Sequence, residues 1–151
     1  MAKISAGIVL YRWQANERMI LLVHPGGPYW RNKDDHAWSI PKGEVLDGED
    51  PSEAALREFA EETGARLSSD ELHPLPSIRI SSGKILHPFI SEGDFDPSSI
   101  RSNVFELEWP PRSGQIRQFP EVDRAAWFTL QEAREKLHKG QVQLVDLLEN
   151  G

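Results

Sequence analysis

The alternation of apolar and polar residues predicts a β-hairpin at the start of the chain. Residues 4–11 and 19–23 are rich in Ile, Leu and Val, which favour strands. Residues 14–18 between them are polar and predict the connecting turn. The chain therefore opens with two strands that pair with each other.

A loop and a short strand are predicted next. Residues 24–35 contain a Pro-Gly-Gly-Pro sequence and a charged cluster, which indicate an irregular surface loop carrying Tyr29 and Trp30. Residues 37–40 are apolar enough for a third strand, which Pro41 would end.

The signals for the first helix are unusually complete. Asp50 suits the N-cap, Pro51 suits the first helical position, and Glu53 stands where a capping box needs an acid. Gly64 suits the left-handed residue that ends a helix. Together they predict a helix over residues 51–63.

Further strands are predicted in the second half of the chain. Residues 77–81 and 84–90 flank Ser82-Gly83, a sequence typical of a hairpin turn. Residues 104–109 alternate, so that Phe105, Leu107 and Trp109 share one face of a strand.

The C-terminal region adds one strand and more helix. Residues 123–128 favour a strand, and Thr129 with Glu132 forms a capping-box sequence for a helix that extends to about residue 139. Residues 142–148 suit a last helical segment. Strands interspersed with helices predict an α/β layered fold.

Composition is that of an ordinary folded domain. The 151 residues suit one domain, and we expect residues 1–151 to form it. The absence of cysteine excludes disulfides, thiolate nucleophiles and cysteine-based zinc sites. No apolar stretch is long enough for a signal-peptide core or a membrane span, so we expect a cytoplasmic protein without a membrane partner.

The negative charge is confined to one short segment. Residues 43–65 hold eight acidic side chains and one basic side chain, Arg57, so they carry the whole formal charge of −7. The rest of the chain has 16 acids and 16 bases and is neutral. A solvated acidic helix is one explanation, and a site for a divalent cation is the other. The neutral remainder argues against a long nucleic acid as a partner.

Three glutamates of this segment would share one face of the predicted helix. Glu58, Glu61 and Glu62 stand at positions i, i+3 and i+4. Their mutual repulsion is relieved by a hard cation, and an all-carboxylate set suits Mg²⁺, or Mn²⁺, better than zinc. Arg57 lies four residues from both Glu53 and Glu61, as a surface ion pair or as a group that orients a carboxylate.

The segment resembles a known motif. Gly43, Glu49, Arg57, Glu58, Glu61, Glu62 and Gly64 occur with the spacing of the Nudix box, which would span residues 43–65. Ala65 takes the last position, where the family more often has a larger aliphatic residue. The resemblance implies an α/β/α sandwich with a mixed β-sheet and an Mg²⁺-dependent pyrophosphohydrolase that cleaves phosphoanhydride bonds.

The resemblance also implies roles for individual residues. Glu58 and Glu62 would bind the metal, with Glu61 as a third ligand or as the base for the attacking water. The Gly43 carbonyl often joins the metal ligands in relatives. Glu49 and Arg57 would orient the helix carboxylates.

Candidates outside the box are less specific. Relatives often recruit one more acid, for which Glu106 or Glu108 is a candidate, with a solvated strand face as the alternative. The candidate phosphate contacts are Lys42, Arg79, Lys84 and Arg101, with an ordinary surface charge as the alternative for each. Tyr29 and Trp30 are candidates for stacking on a base.

The substrate is expected to be a small nucleotide, a nucleoside triphosphate or a dinucleoside polyphosphate. The approach to the box, residues 38–44, also resembles that of relatives acting on diphosphoinositol polyphosphates. The other functional hypotheses are a nucleotide sensor without turnover and an RNA-decapping hydrolase. The oligomeric state does not follow from the sequence.

Overall fold

A computed structural model of the chain describes residues 3–150. Within this range the chain forms nine β-strands and three α-helices. The strands are β1 Lys3–Gln14, β2 Glu17–Pro25, β3 Lys42–Glu44, β4 His73–Pro74, β5 Ile78–Ser81, β6 Lys84–Glu92, β7 Val104–Glu108, β8 Ile116–Pro120 and β9 Val122–Thr129. The helices are α1 Pro51–Thr63, α2 Leu130–Lys136 and α3 Gln143–Glu149.

Seven strands form one mixed sheet. Its central order is β4-β6-β1-β2-β9, with β3 added to β1 and β5 added to β6. The β1 and β6 strands run parallel, and the other pairs in the sheet run antiparallel. The β7 and β8 strands form a separate antiparallel ribbon.

Helices cover both faces of the sheet because the side chains of β1 alternate between them. Ala6, Ile8 and Leu10 pack with Phe59 of α1 on one face. Val9 packs on the other face with the buried residues of α2 and α3, which are Ala133, Leu144, Val145 and Leu148. The α/β/α arrangement with a mixed sheet that the sequence predicts is thereby confirmed.

The first helix has the predicted bounds. The Asp50 side chain accepts a hydrogen bond from the Ser52 N–H, and Gly64 ends the helix with a φ of 85°. The reciprocal Glu53 bond of a capping box is not among the hydrogen bonds described for residues 3–150. The capping box of α2, between Thr129 and Glu132, is present in both directions.

The strand predicted over residues 37–40 is wrong. Trp38 and Ser39 make only isolated bridges, to Leu137 and Val23, because the Ile40 N–H donates instead to the Gln141 side chain. The ladder begins two residues later, where Lys42 pairs with Gly7. A Cβ at Gly7 would lie 2.7 Å from the Lys42 Cβ, so glycine is needed for this pairing.

Phe59 provides a direct test of the α1 packing. Its side chain is fully buried against β1, and removing the ring leaves a cavity that the sheet cannot fill. We expect Phe59→Ala to lower the free energy of unfolding by about 3–5 kcal/mol. Urea unfolding measures the loss, with the exposed Leu46→Ala as a control that changes little. A loss below about 1 kcal/mol for Phe59→Ala would contradict this packing.

Candidate active site

The acidic segment folds around the junction of β3 and α1. The short β3 strand pairs with β1 and places Gly43 directly beside the Glu58 carboxylate. A Cβ at Gly43 would overlap that carboxylate, so no residue larger than glycine fits without displacing it. The backbone of β3 and the face of α1 therefore meet at Glu58.

Arg57 connects the carboxylates on this face. Its Nε and Nη2 donate to the two oxygens of Glu49, at 2.9 and 3.0 Å, in a bidentate pair. Nη1 donates to Glu58 Oε1 at 2.8 Å and to Glu61 Oε2 at 3.2 Å. Nη2 also donates to the Glu44 carbonyl oxygen at 2.9 Å. One guanidinium thus fixes the relative positions of three glutamates and the end of β3.

Glu49 is held in its charged form by these contacts. The hydrogen bonds from Arg57, followed by the bond from the Leu46 N–H, lower the pKa of Glu49 from 4.5 to about 2. Glu49 therefore remains a carboxylate over the physiological pH range, paired with the fork of Arg57.

Glu62 has a very different environment. Burial is the main cause that raises its pKa from 4.5 to about 8, and the nearby charge of Glu58 adds to it. Its Oε1 accepts a hydrogen bond from the Lys42 N–H at 3.3 Å, the one side-chain hydrogen bond of Glu62 within residues 3–150. The charge of Lys42 opposes these effects only in part, so this partly buried carboxylate favours a bound proton or cation.

Two more acids are crowded in the same region. Burial raises the pKa of Glu58, and the charge of Glu61 adds to this while Arg57 opposes it. Burial and the charge of Glu61 also raise the pKa of Glu121, which lies just before β9. Repulsion therefore links four carboxylates from two distant parts of the chain, Glu58, Glu61, Glu62 and Glu121.

A cavity of about 460 Å³ opens beside these acids. Glu62, Glu121 and Lys42 line it together with Lys84 and Trp30. Burial, followed by the nearby charge of Lys84, lowers the pKa of Lys42, whereas the acids raise it. The other lining residues are mostly apolar or neutral: Val23, Pro25, Ala37, Ser39, Ile80, Ser81, Val122, His138 and Gln141.

The structure brings together some of the predicted site residues and separates others. Trp30 and Lys42 line the cavity. Arg79 does not line it, although Ile80 and Ser81 of the same strand do, beyond an irregularity in the pairing of β5 with β6. Glu106 lies exposed on the β7–β8 ribbon opposite Gln118.

Glu121 is the acid that the sequence prediction missed as a site residue. It lies 59 positions after Glu62, between two short strands, where no periodicity marks it. Its place depends on contacts distant in sequence: its carbonyl accepts from the Gly26 N–H, and its own N–H donates to the Asn103 carbonyl. The sequence holds one loose signal for it, because residues 121–127 resemble the acidic and aromatic segment that Nudix proteins tend to have late in the chain.

The oxygen atoms of these acids suit a hard cation, although the carboxylates are not gathered around one point. Among residues 3–150 no three His, Asp or Glu side chains form a ready-made metal cluster. The reason is that Arg57 draws Glu58 and Glu61 toward itself, while Glu62 turns to the Lys42 N–H. The Gly43 carbonyl beside Glu58, the Glu58 carboxylate and the partly buried Glu62 carboxylate supply only oxygen donors, which suit Mg²⁺ or Mn²⁺.

No helix within residues 3–150 has the length and hydropathy to cross a membrane.

Comparison with known proteins gives a consistent result. The family model described as NUDIX domain matches residues 1–148. A curated RNA pyrophosphohydrolase from Pseudoalteromonas translucida is 34% identical over 61 residues, which cover 40% of this chain and 36% of that protein. The bis(5'-nucleosyl)-tetraphosphatase [asymmetrical] of Caenorhabditis elegans is 38% identical over 68 residues, 45% of this chain and 44% of that protein. The chain thus aligns with less than half the length of these relatives.

The fold is also similar to solved structures. The NUDIX domain of NrtR from Shewanella oneidensis, complexed with ADP ribose, superimposes with a TM-score of 0.68 at 15% identity. The match covers 99% of this chain and 88% of that one. At this identity the likeness shows the shared fold.

Glu62 predicts a pH-dependent stability in the absence of metal. Between pH 4.5 and 8 the folded protein keeps the Glu62 proton and the unfolded chain has lost it. The unfolded state then binds fewer protons, so stability falls as pH rises through this interval. Glu62→Gln removes this dependence, and each kcal/mol shifts the Tm of a domain this size by roughly 2–4 °C.

We therefore expect Glu62→Gln to melt several degrees above the unmodified chain at pH 8 with a chelator present, and close to it at pH 5. Thermal unfolding followed by circular dichroism measures this difference. Glu44→Gln, an exposed change on β3, is the control. A Tm difference that is the same at both pH values would contradict a raised pKa of Glu62.

Proposed function

The chain belongs to the NUDIX domain family, and from that membership we propose that it hydrolyses a phosphoanhydride bond in a nucleoside diphosphate-linked substrate. The observation that carries the proposal is the position of Glu62, which lies near the Arg57-bound Glu58 and lines a cavity together with Lys42, Lys84 and Trp30. Such a substrate requires carboxylates to bind its cation, positively charged side chains to contact its phosphates, and an aromatic ring to stack on its nucleobase.

Glu58 and Glu62 would hold the cation, with the Gly43 carbonyl beside them. Mg²⁺, when bound, would neutralise phosphate charge and lower the pKa of a coordinated water. Glu49 holds Arg57 in a bidentate pair, and Arg57 in turn orients the helix carboxylates. Residues that hydrogen-bond to metal ligands commonly have this role. Glu61, whose side chain is 34% exposed, is accessible to the attacking water and would accept its proton or serve as a third ligand.

The cavity would bind the remainder of the substrate. The Lys84 and Lys42 ammonium groups would meet phosphate oxygens, and Trp30 would stack on the base. The positive charges of these lysines reduce the repulsion between an anionic substrate and the acidic face. Glu121 lines the same cavity and would serve as the additional acid in place of Glu106.

Several chemically related nucleotides are candidate substrates. One matched relative is named an RNA pyrophosphohydrolase and another a bis(5'-nucleosyl)-tetraphosphatase. A panel should therefore contain a nucleoside triphosphate, a dinucleoside tetraphosphate, ADP-ribose and a 5'-triphosphorylated oligonucleotide. Turnover restricted to the oligonucleotide would favour RNA as substrate, and saturable binding without any turnover would favour a nucleotide sensor.

Loss of a box carboxylate tests the reaction itself. We expect Glu58→Gln and Glu61→Gln each to lower kcat for the best substrate at least ~100-fold, the lower end of what a positioned acid–base group contributes. Phosphate or nucleotide release with Mg²⁺ present measures this. Glu53→Gln changes an exposed acid on the same helix and should retain activity. Undiminished turnover in both box variants would overturn the assignment.

The additional acid is tested by a pair of variants. Glu121 shares the cavity with Glu62, whereas Glu106 is exposed on the β7–β8 ribbon. We expect Glu121→Gln to lower kcat/KM at least ~10-fold, as for loss of a group that supports a metal site, and Glu106→Gln to leave it within about twofold. The reverse order of effects would favour Glu106 as the additional acid.

A further inference from the structure

His24 is a buried polar residue that the proposed chemistry does not use. It ends the buried part of β2 and has no solvent exposure. Its Nδ1 lies within hydrogen-bond distance of the Asp123 carboxylate, at 2.9 Å, and its Nε2 lies 2.6 Å from the Lys33 carbonyl oxygen. Neither nitrogen is free to contact a substrate, and the ring is not among the cavity-lining side chains.

The Nε2 contact leads directly to Trp30. Lys33, whose carbonyl His24 binds, donates its own N–H to the Trp30 carbonyl at 3.0 Å. Two consecutive hydrogen bonds therefore connect the buried ring to the backbone of the cavity tryptophan. We call residues 26–35 the Trp30 loop.

The Nδ1 contact leads to the segment of Glu121. Asp123 lies in β9, two residues after Glu121, and the Gly26 N–H donates to the Glu121 carbonyl at 2.9 Å. A Cβ at Gly26 would overlap the Pro120 carbonyl, so the loop and this segment are in close contact. His24 thus joins the Trp30 loop to the strand beside Glu121.

The ring is also packed on its faces and edges. It meets the Trp38 ring edge to face, with centroids 5.1 Å apart, and the Trp38 Nε1 donates to Asp34 at 2.8 Å. Asp34 in turn accepts from Lys136 of α2. The Trp30 loop is therefore held near both ends, at Gly26 by the Glu121 carbonyl and at Lys33 by His24. His24 also contacts Asp123, two residues after Glu121, so it lies between the two attachments.

We propose that His24 is a positioning residue that holds the Trp30 loop so that Trp30 faces the cavity and contacts the substrate base. The inference rests on the proposed function, because it assumes that a nucleotide occupies this cavity. Its consequence is that His24 acts on substrate affinity through Trp30, without touching the substrate.

A double-mutant cycle tests this dependence. Trp30→Ala and His24→Phe should each raise KM about tenfold, as expected for loss of one base-stacking contact, with kcat within about twofold. In the Trp30→Ala background, His24→Phe should raise KM no further, because the contact it positions is already gone. Hydrogen exchange should also become faster across residues 26–35 in His24→Phe.

Asp123→Asn is the milder variant should His24→Phe unfold. It retains the shape of the partner and removes its charge, so we expect a smaller KM rise that Trp30→Ala again abolishes. His87→Phe removes a histidine that contacts Ser77, outside the cavity, and should change neither KM nor loop exchange.

Additive KM effects, or a loss of kcat with unchanged KM, would show that His24 does not act through Trp30. An unchanged KM in Trp30→Ala would also overturn the inference. The proposed function fails by a different result, retained turnover in Glu58→Gln and Glu61→Gln, so the two failures are distinguishable.

Discussion

The hydrogen bonds of Arg57 are the constraint on which the site depends. The acidic face of α1 would otherwise consist of carboxylates that repel one another. A single guanidinium reaches Glu49, Glu58 and Glu61, and its bond to the Glu44 carbonyl ties the helix to β3. Removing Arg57 would remove the hydrogen bonds that orient the acids and the one that attaches α1 to β3. The same side chain therefore supports both the fold and the candidate site.

Arg57 offsets the negative charge of only some of the acids in this region. Glu62 makes no hydrogen bond to Arg57 within residues 3–150, and it lies partly buried near Glu58 with a pKa raised to about 8. Glu121 enters from the other end of the chain and adds a further acid next to Glu61. These incompletely neutralised acids lie beside a cavity that holds two lysines and an indole, the groups that the proposed metal-dependent hydrolysis of a nucleotide needs. The same features that cost stability thus provide the proposed chemistry.

Features encoded by neighbouring residues were predictable from the sequence. The bounds of α1 follow from Asp50, Pro51 and Gly64, all within one turn of a helix end. Features that depend on contacts between residues far apart in the sequence were not predictable in this way. The strand predicted at 37–40 fails because Gln141 takes the Ile40 N–H, and Glu121 reaches the cavity through Gly26 and Asn103. Charge alone suggests Arg79 as a phosphate contact, but the pairing of β5 with β6 is irregular between Arg79 and Ser81, and Ser81 rather than Arg79 lines the cavity.

The proposed site has Glu58 and Glu62, beside Gly43, binding a divalent cation at the edge of the cavity that Trp30 and Lys42 line. A crystal structure grown with Mn²⁺ and a non-hydrolysable nucleotide tests it most directly, because the anomalous signal locates the metal. The account predicts a peak in contact with both carboxylates, and a base stacked on Trp30. A peak on the β7–β8 ribbon at Glu106, or a nucleotide bound away from this cavity, would contradict it.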